Sequence, residues 1–376
     1  MRSRITPLTS FTPFTPINPL SFVFLRHLNR DEYYMNRCLE LASSGRNHVA
    51  PNPMVGSVIV HEEKIIGEGY HHKLGDAHAE VNAINAVEDK SLLENSTLYV
   101  NLEPCSHYGK TPPCADLIVT NGIKRVVIAT LDSNPEVAGK GVKHLEKNNI
   151  EVSVGILEEE ARNLNRRFFT FHEKKRPYII LKWAQSADAY MDVDREHNDP
   201  EIHWISNAQS KRLVHQWRAE ENAILVGKDT VINDDPSLTT REVVGPNPIR
   251  IVIDPNNILE EQHSKFSVFS DQAPTLVYNY DVSKTVATID YIKLSKQRDL
   301  LDQLMKDLFD RNIQSVIIEG GRFTLDRFIE ANLWDEARVI RGVPFFKGGI
   351  KAPNFNFEPN FTETIDSDLI DYYSQA

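Results

Sequence analysis

The segment His78-Ala79-Glu80, followed by Pro104-Cys105 and, after an eight-residue loop, Cys114, constrains this chain more than any other feature. One imidazole and two thiolates make a tetrahedral zinc site with its fourth position open, whereas a closed structural site needs a fourth protein ligand. In an open site the metal lowers the pKa of a water from about 15.7 towards about 7. Attack of that water on an amino-substituted ring carbon also needs a group that takes its proton and passes it to the ring nitrogen and the departing ammonia. Glu80, two residues past the first ligand, suits that work and should not bind the metal. The spacing therefore predicts His78, Cys105 and Cys114 as metal ligands and Glu80 as the catalytic proton carrier.

The rest of the composition narrows what such a site serves. A chain of 376 residues with 41% hydrophobic content is long enough for about two domains with real cores. No run of about eighteen apolar residues occurs, so no membrane span is expected. A net charge of −11 argues against a nucleic-acid surface and favours a small-molecule enzyme that gathers positive charge only where an anionic substrate binds. Of three cysteines, two are assigned to the metal. Cys38 is expected as a buried apolar residue in an amphipathic helix from Glu32 to Ser43. Unpaired, thiolate-dependent cysteines point to a reducing, cytoplasmic setting. Residues 1–30 carry four arginines, no acid and several Pro steps. Arginine without acid suits an organellar presequence, but the prolines oppose its amphipathic helix, and the expectation is a disordered extension.

Periodicity predicts an α/β organisation in both halves. Val55–Val60 and Lys64–Tyr70 suit a hairpin, Thr97–Leu102 and Arg125–Thr130 are short β-rich runs, a helix follows Gly141 and a strand lies around Val152. His78 and Cys114 each open a helix, where backbone N–H groups favour thiolate and carboxylate. A charged helix begins near residue 157 and ends at Glu173-Lys174-Lys175-Arg176-Pro177, a linker, since Pro177 pushes its predecessor out of helix. Beyond it, strand-like runs at Tyr178–Ser186, Ala223–Val226, Ile249–Ile253, Thr275–Tyr278 and Ser315–Ile318 alternate with helical stretches. One of these, Ala208–Glu220, is expected behind Ser206 as N-cap. That alternation predicts a mainly parallel sheet. No Gly-x-Gly-x-x-Gly follows any of these strands, which excludes the ordinary Rossmann fingerprint.

Longer stretches carry a resemblance. Pro51-Asn52-Pro53-Met54-Val55-Gly56, Gly67-Glu68-Gly69-Tyr70-His71 and Glu103 through Cys114 are similar to the bifunctional deaminase/reductase family of riboflavin biosynthesis. In the second half, Leu181-Lys182-Trp183-Ala184-Gln185-Ser186-Ala187-Asp188, Arg218-Ala219-Glu220, Thr230 to Arg241 and Ile318-Glu319-Gly320-Gly321 match the same family. The resemblance covers nearly everything from Asp31 to Gly349. It implies a cytidine-deaminase-like three-layer α/β domain at 31–174, followed by a dihydrofolate-reductase-like α/β domain at 175–376, with Zn²⁺ and NADPH as cofactors. The expected reactions are deamination of a diaminopyrimidinone ribosylamino phosphate and reduction of its ribosyl group to ribityl. The partner is that pyrimidine ribonucleotide, with no nucleic acid or membrane, in a homo-oligomer.

Site roles follow from the same resemblance. Ala184, Trp204, Thr230, Asp234 and Gly321 are expected to border NADPH, and Ile202, Arg218, Leu238, Arg241 and Glu319 to contact the reductase substrate. Lys182, in the same motif, is expected to help the ring-opened sugar accept a proton. In the first domain, His107, Lys110 and Thr111 in the inter-cysteine loop are candidates for the substrate phosphate, and Asn52 for the ribose or base edge. His71 and His72 are adjacent on an extended segment, so at most one can face inward. Two departures stand out: Ala189 follows Asp188 where the family commonly has Gly, and Val193–Ile202 is unusually polar. A left-handed backbone at that position would be strained by Ala. The alternatives are a monofunctional nucleotide deaminase with a degenerate second domain, opposed by the long loop with Lys110, and a zinc-stabilised nucleotide-binding regulator, opposed by Glu80.

Overall fold

The structure, a computed structural model, describes residues 29–106, 108, 112–134, 138–194 and 203–375. The candidates His107, Lys110, Thr111 and Ile202 lie outside them. Helix α1 runs from Arg30 to Ser43, two residues earlier than the periodicity suggests, because Asn29 and Glu32 close a capping box across its first turn. Asn29 and Arg30 thus belong to the folded unit, not to the extension. Tyr34, Met35, Cys38 and Ala42 recur on one buried face of α1, and the first three pack with Val58 and Val60. Asp31 ties the helix to the sheet through Arg125 at 2.7 Å and the Tyr99 hydroxyl at 2.7 Å.

The first sheet has five strands in the order β2-β1-β3-β4-β5. Its strands are β1 (Gly56–His61), β2 (Lys64–Tyr70), β3 (Thr97–Leu102), β4 (Arg125–Thr130) and β5 (Glu151–Val154). The β1–β2 hairpin and the β1–β3 pair are antiparallel, while β3, β4 and β5 run parallel. Helices α2 (Ala79–Ala86), α3 (Cys114–Thr120) and α4 (Lys140–Lys147) lie along it. The core between these helices and the sheet holds Ala83, Ile84, Val87, Ala115, Ile118 and Leu145 against Ile59, Leu98, Val100, Val126 and Ile128. Each valine, leucine or isoleucine among them taken fully out of water contributes about 1.5–3 kcal/mol. Helix α1 covers the other face, which completes three layers. The glycines at 67 and 69 set how close α2 sits. A Cβ on Gly69 would lie 2.4 Å from the Ala83 nitrogen and 2.7 Å from the Ala79 carbonyl oxygen, so only glycine lets α2 pack on β2 at this distance.

Helices α5 (Glu158–Leu164) and α6 (Arg166–Lys174) lead to the second sheet. Lys175 takes a left-handed backbone and ends α6, and the chain enters β6 (Tyr178–Gln185) almost at once. The expected linker is pinned rather than loose: Arg176 holds Asp335 at 2.5 and 2.9 Å. The second sheet is ordered β11-β12-β10-β9-β8-β13-β6-β14-β17-β16. Its middle is parallel: β8 (Ala223–Gly227), β9 (Ile249–Ile253), β10 (Thr275–Asn279), β12 (Ile289–Lys293), β13 (Ser315–Gly320) and β14 (Glu336–Arg341) run with β6. Antiparallel strands finish it, β11 (Lys284–Val286) at one edge and β17 (Asp368–Ser374) with β16 (Phe361–Ile365) at the other, while β7 (Tyr190–Asp192) and β15 (Ile350–Lys351) pair in a separate two-stranded sheet. Helix α7 spans Ala208–Glu220 as expected, but its N-cap is Asn207, whose side chain accepts from the Ser210 N–H, and not Ser206. Among the described residues no helix is long and apolar enough to cross a membrane.

Helix α6 meets the second sheet through buried charge. Arg167 forks onto Glu221, with Nε at 2.7 Å from Oε2, and Arg166 reaches Glu336 at 2.9 Å. Arg338 bonds Glu336 at 2.6 Å and stands 3.7 Å from Glu221. The Glu221 side chain is fully shielded from solvent. Burial alone would raise both carboxylates, yet the arginines hold Glu221 below the usual range and Glu336 at about 2.

Candidate active sites

Three separate segments deliver the metal-binding donors. His78 is the N-cap residue of α2, Cys114 opens α3, and Cys105 follows the end of β3 by way of Glu103-Pro104. His78 Nδ1 lies 3.6 Å from the Cys105 sulfur and 3.3 Å from the Cys114 sulfur, and all three donor atoms fall within 4.8 Å of one another. With Zn–S near 2.3 Å and Zn–N near 2.05 Å, a tetrahedral edge is about 3.6 Å, so the donors and their spacing fit zinc. The Cys114 backbone N–H donates to the Cys105 sulfur at 3.3 Å. Hydrogen bonds from Cys114, and then from His78, hold the Cys105 thiol down at about 4 against its burial.

Glu103, which sequence reasoning did not single out, fixes the strand end that carries Cys105. Its buried carboxylate accepts from the backbone N–H groups of Gly139 at 2.9 Å, Gly141 at 2.8 Å, Asp132 at 3.2 Å and Val142 at 3.2 Å, at the start of α4. A Cβ on Gly141 would meet the Pro104 carbonyl oxygen at 2.1 Å. The only legible signal was an acid directly before Pro-Cys. Glu80 sits in the first turn of α2, 3% exposed. Burial, and then the charge on Cys105, push its carboxyl up to about 7. His71 turns inward and His72 outward over Tyr70. Asn52 Nδ2 donates to His71 Nε2 at 3.1 Å, and His71 Nδ1 donates to the Ala77 carbonyl at 3.1 Å. The His71 ring stands edge-on to His78 with centroids 5.6 Å apart.

The second site is a cavity of about 930 Å³ at the C-terminal ends of β8, β9 and β13. Open parallel sheets commonly bind ligands at that end. Trp204, Thr230, Asp234, Leu238, Arg218, Arg241, Glu319 and Gly321 all line it. Lys211, absent from the sequence reading, joins them, its Nζ lying 4.6 Å from the Trp204 ring centre. Arg218 is already engaged with Glu319 through two hydrogen bonds, 3.0 and 2.7 Å. Arg218 and Lys182 overcome the burial of Glu319 and hold it at about 2. His215 is buried, and that desolvation together with Arg218 and Arg241 lowers it to about 4. Neutral His215 accepts the Arg241 backbone N–H at Nδ1, 3.1 Å away, and so orients the second arginine.

Two expected residues do not line the cavity. Ala184 faces the apolar cluster of Tyr178, Ile180, Val214, Trp217 and Ile340, because alternation along β6 turns it to the face that α7 covers. Lys182 lies behind Glu319, 3.8 Å from its carboxylate, where burial lowers its pKa. Asp188 is used structurally: it accepts from the Ser186 hydroxyl and the N–H groups of Phe346 and Lys347 at 2.7, 3.0 and 2.7 Å. Ala189 does take the left-handed backbone, at φ 64°.

Comparison with known proteins agrees with this division. A family model described as the cytidine and deoxycytidylate deaminase zinc-binding region matches residues 28–130, and one described as the RibD C-terminal domain matches 177–369. The riboflavin biosynthesis protein RibD of Aquifex aeolicus is 43% identical over 315 residues, 82% of this chain and 86% of that protein. RibD of Bacillus amyloliquefaciens is 40% identical over 334 residues, 86% of this chain and 87% of that protein. A crystal structure from Thermotoga maritima is titled a diaminohydroxyphosphoribosylaminopyrimidine deaminase/5-amino-6-(5-phosphoribosylamino)uracil reductase. It superposes with a TM-score of 0.81 at 34% identity, covering 92% of this chain and 99% of that one. With both halves matched in one order along one chain, this protein belongs to the RibD family, the bifunctional zinc-dependent deaminases and NADPH-dependent reductases of riboflavin biosynthesis.

Proposed function

We propose that the chain deaminates 2,5-diamino-6-(5-phosphoribosylamino)pyrimidin-4(3H)-one at the first site and reduces the ribosyl group of the deaminated product at the second. The observation that carries this reading is Glu80, a buried carboxyl beside a His/Cys/Cys donor set, in one chain with a cavity lined by paired arginines. His78, Cys105 and Cys114 hold zinc, which when bound supplies an acidified water. Glu80 carries one proton of the attacking water to the ring nitrogen and then the second, from the new hydroxyl, to the amino group, which leaves as ammonia. Asn52 orients the substrate through its amide, with His107, Lys110 and Thr111 on the phosphate.

In the second half Trp204, Thr230, Asp234 and Gly321 form the wall for NADPH. When bound there, NADPH would supply the hydride that reduces C1′. Arg218, Arg241, Leu238 and Glu319, with Ile202, hold the ribosylamino-uracil phosphate. Because Arg218 is already paired with Glu319, Arg241 meets the phosphate as the more available guanidinium. We place the division of the two units at residues 174/175 and take the protein to be a cytoplasmic homo-oligomer without nucleic-acid or membrane partners, in keeping with its charge of −11.

The test is purified protein with the diaminopyrimidinone substrate, with and without NADPH. Ammonia release is expected without NADPH, and oxidation of NADPH only after deamination. Arg241→Ala should raise KM for the reductase substrate roughly tenfold or more, the loss of one charge-assisted hydrogen bond, and leave ammonia release alone. Absence of NADPH oxidation by the parent protein would reduce the second half to a scaffold.

A further inference from the structure

We infer that Gln314, a residue of the reductase half, is a positioning residue for the deamination reaction. It acts by holding the Pro51-Asn52-Pro53 loop of the other half. Gln314 is buried just ahead of β13, at the opposite end of that strand from Glu319 and the NADPH cavity. Its own place is fixed by the second sheet. The Gln314 N–H donates to Asn222 Oδ1 at 3.0 Å, and its carbonyl accepts the Tyr178 N–H at 2.8 Å. From there its side chain crosses to the first domain, where Nε2 donates to the Pro51 carbonyl at 2.7 Å.

Pro51 is followed directly by Asn52, whose amide is bonded to His71, and His71 packs edge-on against His78. The loop's other end is fastened within the first half. Asn165 accepts the Met54 N–H and donates to the Met54 carbonyl, both at 2.8 Å. Between these two anchors the segment borders a cleft of about 190 Å³ between the halves, lined among others by Arg46, Asn52, Arg167, Glu220 and Gln314. With the Met54 end clamped and the Asn52 N–H turned onto the Val49 carbonyl at 2.8 Å, the Gln314 hydrogen bond is the tie from the second half that steadies the loop's other end, and so the reach of the Asn52 amide into the site. The inference rests on the reading of Asn52 as a substrate contact.

The experiment uses the full chain with zinc bound. Gln314→Met keeps the volume and removes the donor, Gln314→Glu replaces the donor with an acceptor facing a carbonyl, and Asn52→Ala and Asn52→Ala/Gln314→Met complete a cycle. Zinc content, KM and kcat for ammonia release, and NADPH-dependent reduction of the deaminated intermediate are measured on each. Both Gln314 variants are expected to raise KM for deamination, roughly three- to tenfold for one neutral hydrogen bond, with zinc content and reduction unchanged. The double variant is expected to be no worse than Asn52→Ala alone, since the two act on one contact. Unchanged deamination in both Gln314 variants, equal losses in the two half-reactions, or additive losses in the double variant would each overturn the inference. An Asn52→Ala protein that deaminates normally would instead overturn the reading of Asn52 itself, and that result does not depend on Gln314.

Discussion

Ala189 shows how a single residue can depart from a family pattern without losing the local structure. At φ 64° a Cβ costs roughly 1–2 kcal/mol. The turn around it absorbs this: its N–H donates to the Ser186 carbonyl at 3.0 Å, its carbonyl accepts from Ala352 at 2.9 Å, and Asp188 ties the turn to Phe346 and Lys347. Ala189→Gly relieves the strain but frees the unfolded chain by about 0.4–1 kcal/mol. The expected net gain is about 0.5–1 kcal/mol, seen as a slightly higher Tm with reductase kinetics unchanged; a lower Tm would show that the position is unstrained. His215 gives a pH-dependent counterpart. Its folded pKa of about 4 lies below its ordinary value of 6.5, so the unfolded chain binds the extra proton. Its contribution is complete above pH 6.5 and is lost as pH falls from there towards 4. His215→Gln should therefore flatten the stability-versus-pH curve in that window relative to the parent, and parallel curves would contradict this.

At the scale of elements, much of the fold was legible because most strands here are short, apolar and bounded by turns. Thr97–Leu102 and Arg125–Thr130 match observed strands end to end, and so does the helix Ala208–Glu220. What sequence reading missed depends on long-range contacts. The antiparallel β16 and β17 interrupt their apolar residues with Thr362, Glu363, Thr364, Asp368 and Asp371, without a period of two, and β17 joins them to the rest of the sheet by pairing with β14. The shift of the cap from Ser206 to Asn207 reflects Asp368, which accepts the Asn207 N–H at 2.8 Å from far along the chain. Among site residues, the metal set was visible because its chemistry demands specific side chains at nearly fixed spacing. Glu103, Lys211 and Gln314 were not visible, since each works through a partner that only folding brings near. The buried ionic cluster that joins α6 to the second sheet is another such feature. Glu221→Ala would leave Arg167 buried without its hydrogen-bonded counter-charge, while Arg338 keeps Glu336, and the expected cost is about 3–5 kcal/mol. Denaturant unfolding measures it; a cost under about 1 kcal/mol would mean that water reaches the cluster.

At the scale of the whole molecule, two α/β units with separate cores place their sites on different sheets. A change in one chemistry should therefore leave the other intact unless it touches the junction. The zinc donors come from α2, α3 and the end of β3, whereas the cavity lined by Arg218 and Arg241 sits at the strand ends of the second sheet. The most direct test is Glu80→Gln, with bound zinc, ammonia release and NADPH-dependent reduction of the deaminated intermediate measured on one preparation. One zinc per chain, loss of ammonia release by at least about 100-fold, as expected for removal of a general acid–base group, and parental reduction are predicted. Loss of zinc would make Glu80 a ligand, and near-parental ammonia release would remove it as the proton carrier; either contradicts the mechanism.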